Sequence, residues 1–116
     1  MTAAETGKRG EKLAARFLRR NGYRILACNW RAHRYEIDIV AREKRTGTVV
    51  FVEVKTRTAG SYGRPADAVD RNKQRFLRLA AENWLLRNGG LEQPARFDVI
   101  EVLLPEQTIN QIVNAF

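Results

Sequence analysis

The sequence predicts an α/β sandwich with a mixed central sheet, its elements in the order α, β, β, β, α, β. Three observations predict it: two segments with apolar residues at helical spacing, two alternating runs joined by a polar turn, and a further strand after the second helix. In residues 7–21, GKRGEKLAARFLRRN, Leu13, Ala14, Phe17 and Leu18 share one face while Lys12, Arg16, Arg19 and Arg20 lie elsewhere, and Gly22 stops the helix. The following YRILACNW has β-type composition and reads as a first strand, with Cys28 as a small buried hydrophobe in it. YEIDIVA at 35–41 and TVVFVEVKTR at 48–57 form a hairpin across the polar turn REKRTG. Residues 58–65, TAGSYGRP, read as a surface loop. Residues 66–88 form the second helix, with Phe76, Leu77, Ala80, Ala81, Trp84 and Leu85 at helical spacing and Gly89 and Gly90 at its end. FDVIEVLLP at 97–105 reads as another strand, and the tail QTINQIVNAF as a short strand or helix packed on its edge.

With 116 residues, 44% of them hydrophobic and 29% charged, the chain is expected to form one domain spanning residues 1–116. The single cysteine excludes an internal disulfide, and a single histidine excludes the usual Cys/His metal spacings. The N-terminal MTAAETGKRGEK lacks the apolar core of a signal peptide, and no run approaches the roughly 20 apolar residues that span a bilayer, so a cytoplasmic location away from membranes is expected. The net charge of +8 is uneven. Residues 1–78 hold 19 of the Lys and Arg against 8 Asp and Glu, whereas residues 79–116 hold 2 against 5. Such a field suits a polyanion, and nucleic acid is the usual one, because each neutralised phosphate releases condensed counterions.

The chemistry concentrates in the hairpin. Glu36 and Asp38 alternate with Ile37 and Ile39, and Glu53 and Lys55 with Val52 and Val54. A turn centred on Arg45 and Thr46 puts residues whose numbers sum to 91 opposite each other, Asp38 facing Glu53 and Glu36 facing Lys55, so that one face carries all four groups. Opposed carboxylates destabilise a hairpin unless a cation lies between them, and a divalent metal supplies it. Carboxylate oxygens suit Mg²⁺ (or Mn²⁺), which can polarise a phosphoryl oxygen while Lys55 holds or activates the attacking water. The plainer alternative is a solvated face of cross-strand salt bridges, which are common and worth little. Two features weigh against it: VVFVEVK is nearly continuously apolar up to Glu53, as in a strand covered on both faces, and the acidic groups sit within the basic part of the chain.

EID followed by VVFVEVKTR, between GKRGEKLAARFLRRNGYRILACNWR and GRPADAVDRNKQRFLRLAAENWL, resembles the YraN-type family of uncharacterised bacterial proteins. That family is related to the PD-(D/E)xK nuclease superfamily, which includes archaeal Holliday-junction resolvases. The resemblance covers nearly the whole chain, through RFDVI and the terminal NAF. It implies a restriction-endonuclease-like αβββαβ sandwich and a metal-dependent DNA endonuclease, acting on branched or structured DNA, in which Asp38 is the metal-binding aspartate and Glu53 and Lys55 fill the ExK positions. Glu11, within GxxGE, matches the additional acidic residue of resolvase-like members and is the third metal ligand so implied. Lys73 and Gln74, at the start of the second helix, are implied to point toward DNA; with Lys8, Arg9 and Arg57 they are the expected nucleic-acid contacts. By analogy with resolvases the partner set is DNA and a second copy in a homodimer. Tyr35 stands where the family usually has glycine before EID, and a bulky residue there is expected to narrow the cleft or alter access.

Other residues carry less. His33 reads as a solvated loop histidine with proton transfer or phosphate contact as its functional alternative; Trp30 and Tyr62 are candidates for base stacking, and Trp84 for the core. Two rival functions remain open at this level: a nucleic-acid-binding module that keeps the fold without turnover, and a protein-interaction adaptor whose charged face docks an acidic partner.

Overall fold

The computed structural model describes residues 1–58 and 69–116. Helix α1 (Ala3–Arg20) is followed by strands β1 (Tyr23–Ala32), β2 (Tyr35–Glu43) and β3 (Val49–Arg57), helix α2 (Arg71–Arg87), and strands β4 (Ala95–Leu103) and β5 (Thr108–Ile112). The tail expected as strand or helix is therefore a strand. The sheet order is β1-β2-β3-β4-β5; among the described strands the β3–β4 pair is parallel and the others are antiparallel. Among the described residues the result is an α/β fold of two helices on a five-stranded mixed sheet, consistent with a restriction-endonuclease-like sandwich. Among the described residues no helix is long and apolar enough to cross a membrane.

Helix α1 begins four residues earlier than its apolar pattern indicates because Thr2 caps it. Thr2 Oγ1 accepts from the Glu5 amide at 3.1 Å, and the Thr2 amide donates to Glu5 Oε1 at 3.2 Å, a reciprocal capping box that fixes the first turn. Helix α2 begins later than expected, at Arg71, where Asp70 Oδ1 accepts from the Lys73 amide at 2.8 Å. Residues 59–68, including most of the predicted loop, Tyr62 and the start expected for this helix, lie outside the described residues.

Each helix covers one face of the sheet. Leu13, Ala14 and Leu18 of α1 pack on Ile39, Ala41, Val50, Val52, Ile100 and Val102. Leu77, Ala81, Trp84 and Leu85 of α2 pack on Val40, Val49, Phe51 and Val99, with Trp84 edge-on to Phe51 as a core residue. Gly10 brings α1 down onto β3: a Cβ at this position would collide with Thr56 Oγ1. That close approach puts the next residue, Glu11, over the sheet.

The regular ladder between β2 and β3 breaks down at Asp38 in two respects. The register has the expected sum of 91 in Ile39↔Val52, Val40↔Phe51, Ala41↔Val50 and Arg42↔Val49, but the pairing ends at Ile39. Strict alternation fails at the same place, since Ile37 packs with the α2 cluster and Ile39 with the α1 cluster. Opposite this switch, β1 has Asn29 at φ 52°, between the pairs Cys28↔Ile39 and Trp30↔Ile37. Strands β2 and β3 part at Asp38.

A second polar centre ties the sheet together elsewhere. Asp98 of β4 is fully buried and accepts from Arg96 Nε at 3.0 Å, Gln111 Nε2 at 2.9 Å and the Asn114 amide at 3.1 Å. Arg96 also donates to Tyr23 Oη at 2.7 Å and to Glu43 Oε2 at 3.4 Å, linking β1, β2, β4 and β5. Every partner of the buried carboxylate is polar, so its desolvation is offset.

Candidate functional site

The parting of β2 from β3 leaves the Val54 amide without a β2 carbonyl, and Asp38 Oδ2 accepts from it at 2.8 Å. Asp38 is thereby held at the edge of the gap. Glu36, on the same stretch of β2, accepts from Arg31 Nε of β1 at 3.0 Å. Glu11, set over the sheet by Gly10, accepts from Asn29 Nδ2 at 3.3 Å. One carboxylate oxygen from each of Glu11, Glu36 and Asp38 lies within 4.8 Å of the others.

Glu53 reaches the gap from the other side. On β3, Val49 and Phe51 face α2, and Glu53 continues that series, with its Oε1 2.8 Å from Lys73 Nζ. The expectation of four groups on one face is corrected here: Glu36 and Asp38 turn to Glu11 on the α1 side, while Glu53 turns to Lys73 of α2. The cause is the switch of faces in β2 at Asp38. The expected Glu36–Lys55 juxtaposition is likewise replaced by Glu36–Arg31, because β2–β3 pairing has ended before either residue. Lys55 follows Glu53 by two residues on β3, is half-buried, and makes no hydrogen bond or ion pair with any described residue.

These carboxylates act on one another. Burial first, then the charge of Glu53, push the Asp38 carboxyl up to about 7, against the Val54 hydrogen bond, with Glu11 and Glu36 adding smaller upward pushes. Glu11 is also raised, by its own burial and by the charges of Glu36 and Glu53, against a downward pull from Lys8. Glu53 is thus electrostatically part of the site although its carboxylate is held by Lys73.

The acidic group lies in an open cleft of about 470 Å³ between α1 and β1, with Glu11 and Asp38 at the floor and Lys8, Lys12, Arg16 and Arg19 along the helix wall. Of the helix-one contacts expected from sequence, Lys8 belongs to this cleft, whereas Arg9 lines a different cavity beside Thr6, Leu104 and Gln107. Lys12, Arg16 and Arg19 were legible only as the polar side of an amphipathic helix. Their i+4, i+8 and i+11 spacing from Lys8 was the signal that they form one stripe. Gln74 is occupied by the fold, donating to the Val69 carbonyl at 2.7 Å, and Lys73 by Glu53. Arg57 ends β3 beside Leu103.

Three further expectations are corrected. Tyr35 stacks on Phe76 of α2 with ring centroids 4.1 Å apart, on the face opposite Glu11, so its bulk is spent on α2 and not on the acidic cleft. Cys28 is exposed, lining the cleft, because β1 is an edge strand and α1 covers it only in part. Trp30 is a half-buried residue packed against the α2 cluster, not a free stacking platform. His33 is exposed in the β1–β2 turn at φ 59°, as a loop histidine should be.

Residues 10–102 match the sequence profile of "Uncharacterised protein family UPF0102". The chain is 51% identical over 114 residues to a UPF0102 protein of Pelobacter propionicus, covering 96% of this chain and 81% of the relative. It is 47% identical over 114 residues to one of Alkaliphilus oremlandii, covering 95% and 96%. A UPF0102 protein of Geobacter sulfurreducens is 50% identical over 113 residues, covering 95% and 87%.

Proposed function

The chain belongs to the uncharacterised protein family UPF0102, and we propose that it is a metal-dependent endonuclease that hydrolyses phosphodiester bonds in DNA. The observation that carries this reading is the Glu11–Glu36–Asp38 cluster, of which Glu11 and Asp38 line a cleft walled by four cations. A negatively charged floor repels phosphate unless a cation covers it, while the basic wall attracts phosphate; the two make chemical sense together when a divalent ion bridges them.

The donor set fits such an ion. All three groups offer carboxylate oxygens, the ligands preferred by Mg²⁺ and Mn²⁺. Glu11 and Asp38 would hold it, with Glu36 and Glu53 as the further acidic groups in electrostatic reach. When bound, the ion supplies Lewis-acid stabilisation of charge on the phosphoryl oxygens and a lowered pKa for coordinated water. The chain's own residues do the rest. Lys8 beside Glu11 orients the phosphate, and Lys55, two residues beyond Glu53 on β3 and held by no described residue, is the cation for the attacking water or a non-bridging oxygen. Hydrolysis forms one P–O bond to the water oxygen and breaks one to a sugar oxygen, which takes up a proton.

A second reading, a DNA-binding module without turnover, is favoured by one contact: the Glu53 carboxylate is already engaged by Lys73, at 2.8 Å. Incubation of linear, flapped and four-way DNA with Mg²⁺ or Mn²⁺ separates the two. Metal-dependent product with the wild type and none with Glu53→Ala supports hydrolysis. Salt-sensitive binding with no product from any substrate selects the module.

A further inference from the structure

The cationic wall of the cleft extends beyond what the acidic floor needs. Lys8 and Lys12 flank Glu11, but Arg16 and Arg19 continue the stripe toward the C-terminal end of α1, about 7.5 and about 12 Å along the axis from Glu11 at 1.5 Å per residue. All four side chains are exposed, and none forms an ion pair with any described residue. A cluster of acids holding one ion gives no reason for unneutralised positive charge that far away. A chain of regularly spaced anions does.

We propose that α1 is a phosphate rail: Lys12, Arg16 and Arg19 bind successive phosphates of one DNA strand on one side of the phosphate that lies over Glu11 and Asp38. This rests on the hydrolytic reading for the position of the scissile phosphate, but the rail is a binding site of its own and works without metal. It sets the side of the scissile phosphate on which the strand is held, since beyond Glu11 toward the helix N-terminus Lys8 is the last cation of the stripe. Contact with phosphates alone carries no base information, so the rail positions DNA without selecting sequence.

Cys28, the chain's single cysteine, is exposed on the β1 side of the same cleft and reports occupancy of the rail directly. The experiment uses the full chain in EDTA, which withholds the ion that the proposed hydrolysis needs, and a fluorescein-labelled single-stranded DNA oligonucleotide read by anisotropy over a salt series. In parallel, the rate of Cys28 modification by a maleimide is measured with and without that oligonucleotide. With wild type, bound DNA should lower the modification rate to that of the unbound fraction of protein. K12Q/R16Q/R19Q should weaken binding and flatten the slope of log affinity against log salt by roughly 2, given about 0.7 per phosphate contact on a single strand. R24Q/K44Q/R45Q, which removes three exposed charges outside the cleft, should leave the protection of Cys28 intact.

Wild type that binds DNA while Cys28 stays fully reactive would overturn the rail, as would K12Q/R16Q/R19Q binding with the wild-type slope; the hydrolytic reading would survive either. Wild type that binds no DNA at low salt would overturn both.

Discussion

Asp38 Oδ2 accepts the Val54 amide at 2.8 Å, so a side-chain carboxylate stands where the ladder between β2 and β3 would otherwise supply a carbonyl. The same contact anchors the acidic residue and opens the gap that exposes it. Asp38→Asn keeps an acceptor for Val54 while removing a charge that Glu53, Glu11 and Glu36 all oppose. At pH 8 without divalent ions the variant should therefore be as stable as wild type or more so. Wild type should be stabilised by Mg²⁺, by about 2.7 kcal/mol at 100 times its Kd, and the variant should not. Thermal melts with and without Mg²⁺ check this; equal stabilisation of both proteins would place the ion elsewhere.

The raised Asp38 carboxyl has a pH signature. Its pKa lies near 7 when folded and at its ordinary 3.8 when unfolded, so the folded state binds more protons between these values. Without metal, its contribution to stability is fully present below pH 3.8 and is lost as pH rises through about 7. Mg²⁺ must displace that proton, so its affinity should rise with pH up to about 7 and level off above. Titration calorimetry in two buffers of different ionisation enthalpy should show proton release at pH 6 that disappears at pH 8. In Asp38→Asn the release should be absent at both.

Gly10 is where helix propensity and packing disagree. Alanine would favour α1 by about 1 kcal/mol on propensity alone. Its Cβ would meet Thr56 Oγ1, and overpacking of that kind costs roughly 1–3 kcal/mol. Gly10→Ala should therefore lower stability in urea, and by lifting α1 it should weaken Mg²⁺ binding through Glu11. A stabilised variant would mean that Thr56 rotates away at no cost.

Asp98 has no part in the cleft and tests the scaffold. Asp98→Ala leaves Arg96 without its buried partner, a loss of about 3–5 kcal/mol for a broken buried pair. Urea denaturation followed by tryptophan fluorescence measures it. A loss under about 1 kcal/mol, the scale of a single ordinary hydrogen bond, would show that Glu43 and Tyr23 suffice for Arg96.

The parts of this structure that were legible in the sequence are those governed by local periodicity. The apolar faces of α1 and α2 and the β2–β3 register follow from spacing alone, and the index sum of 91 holds at all four paired positions. The caps were present as signals, Thr2 with Glu5 and Asp70 before Arg71, and account for the shifted helix starts. The switch of faces at Asp38 was not legible, because it depends on Asn29 in a different strand and on the end of pairing with β3. Glu11 became a site residue only through resemblance, since its place over Asp38 depends on the close approach at Gly10. The partners of Glu36 and Glu53, Arg31 and Lys73, lie on elements whose packing no local pattern specifies.

The most direct measurement of the central claim is cleavage of flapped and four-way DNA in Mg²⁺ by wild type, Asp38→Asn and Lys55→Ala, purified in parallel, with Mg²⁺ binding measured on the same preparations. Wild type should yield product that EDTA abolishes. Asp38→Asn should lose both Mg²⁺ binding and product while retaining DNA binding in chelator. Lys55→Ala should bind Mg²⁺ nearly as wild type yet fall at least about 100-fold in rate, the scale of losing one group that stabilises developing charge. Cleavage at equal rates by all three proteins, or none by any of them, would contradict the assignment of phosphodiester hydrolysis to Asp38 and Lys55.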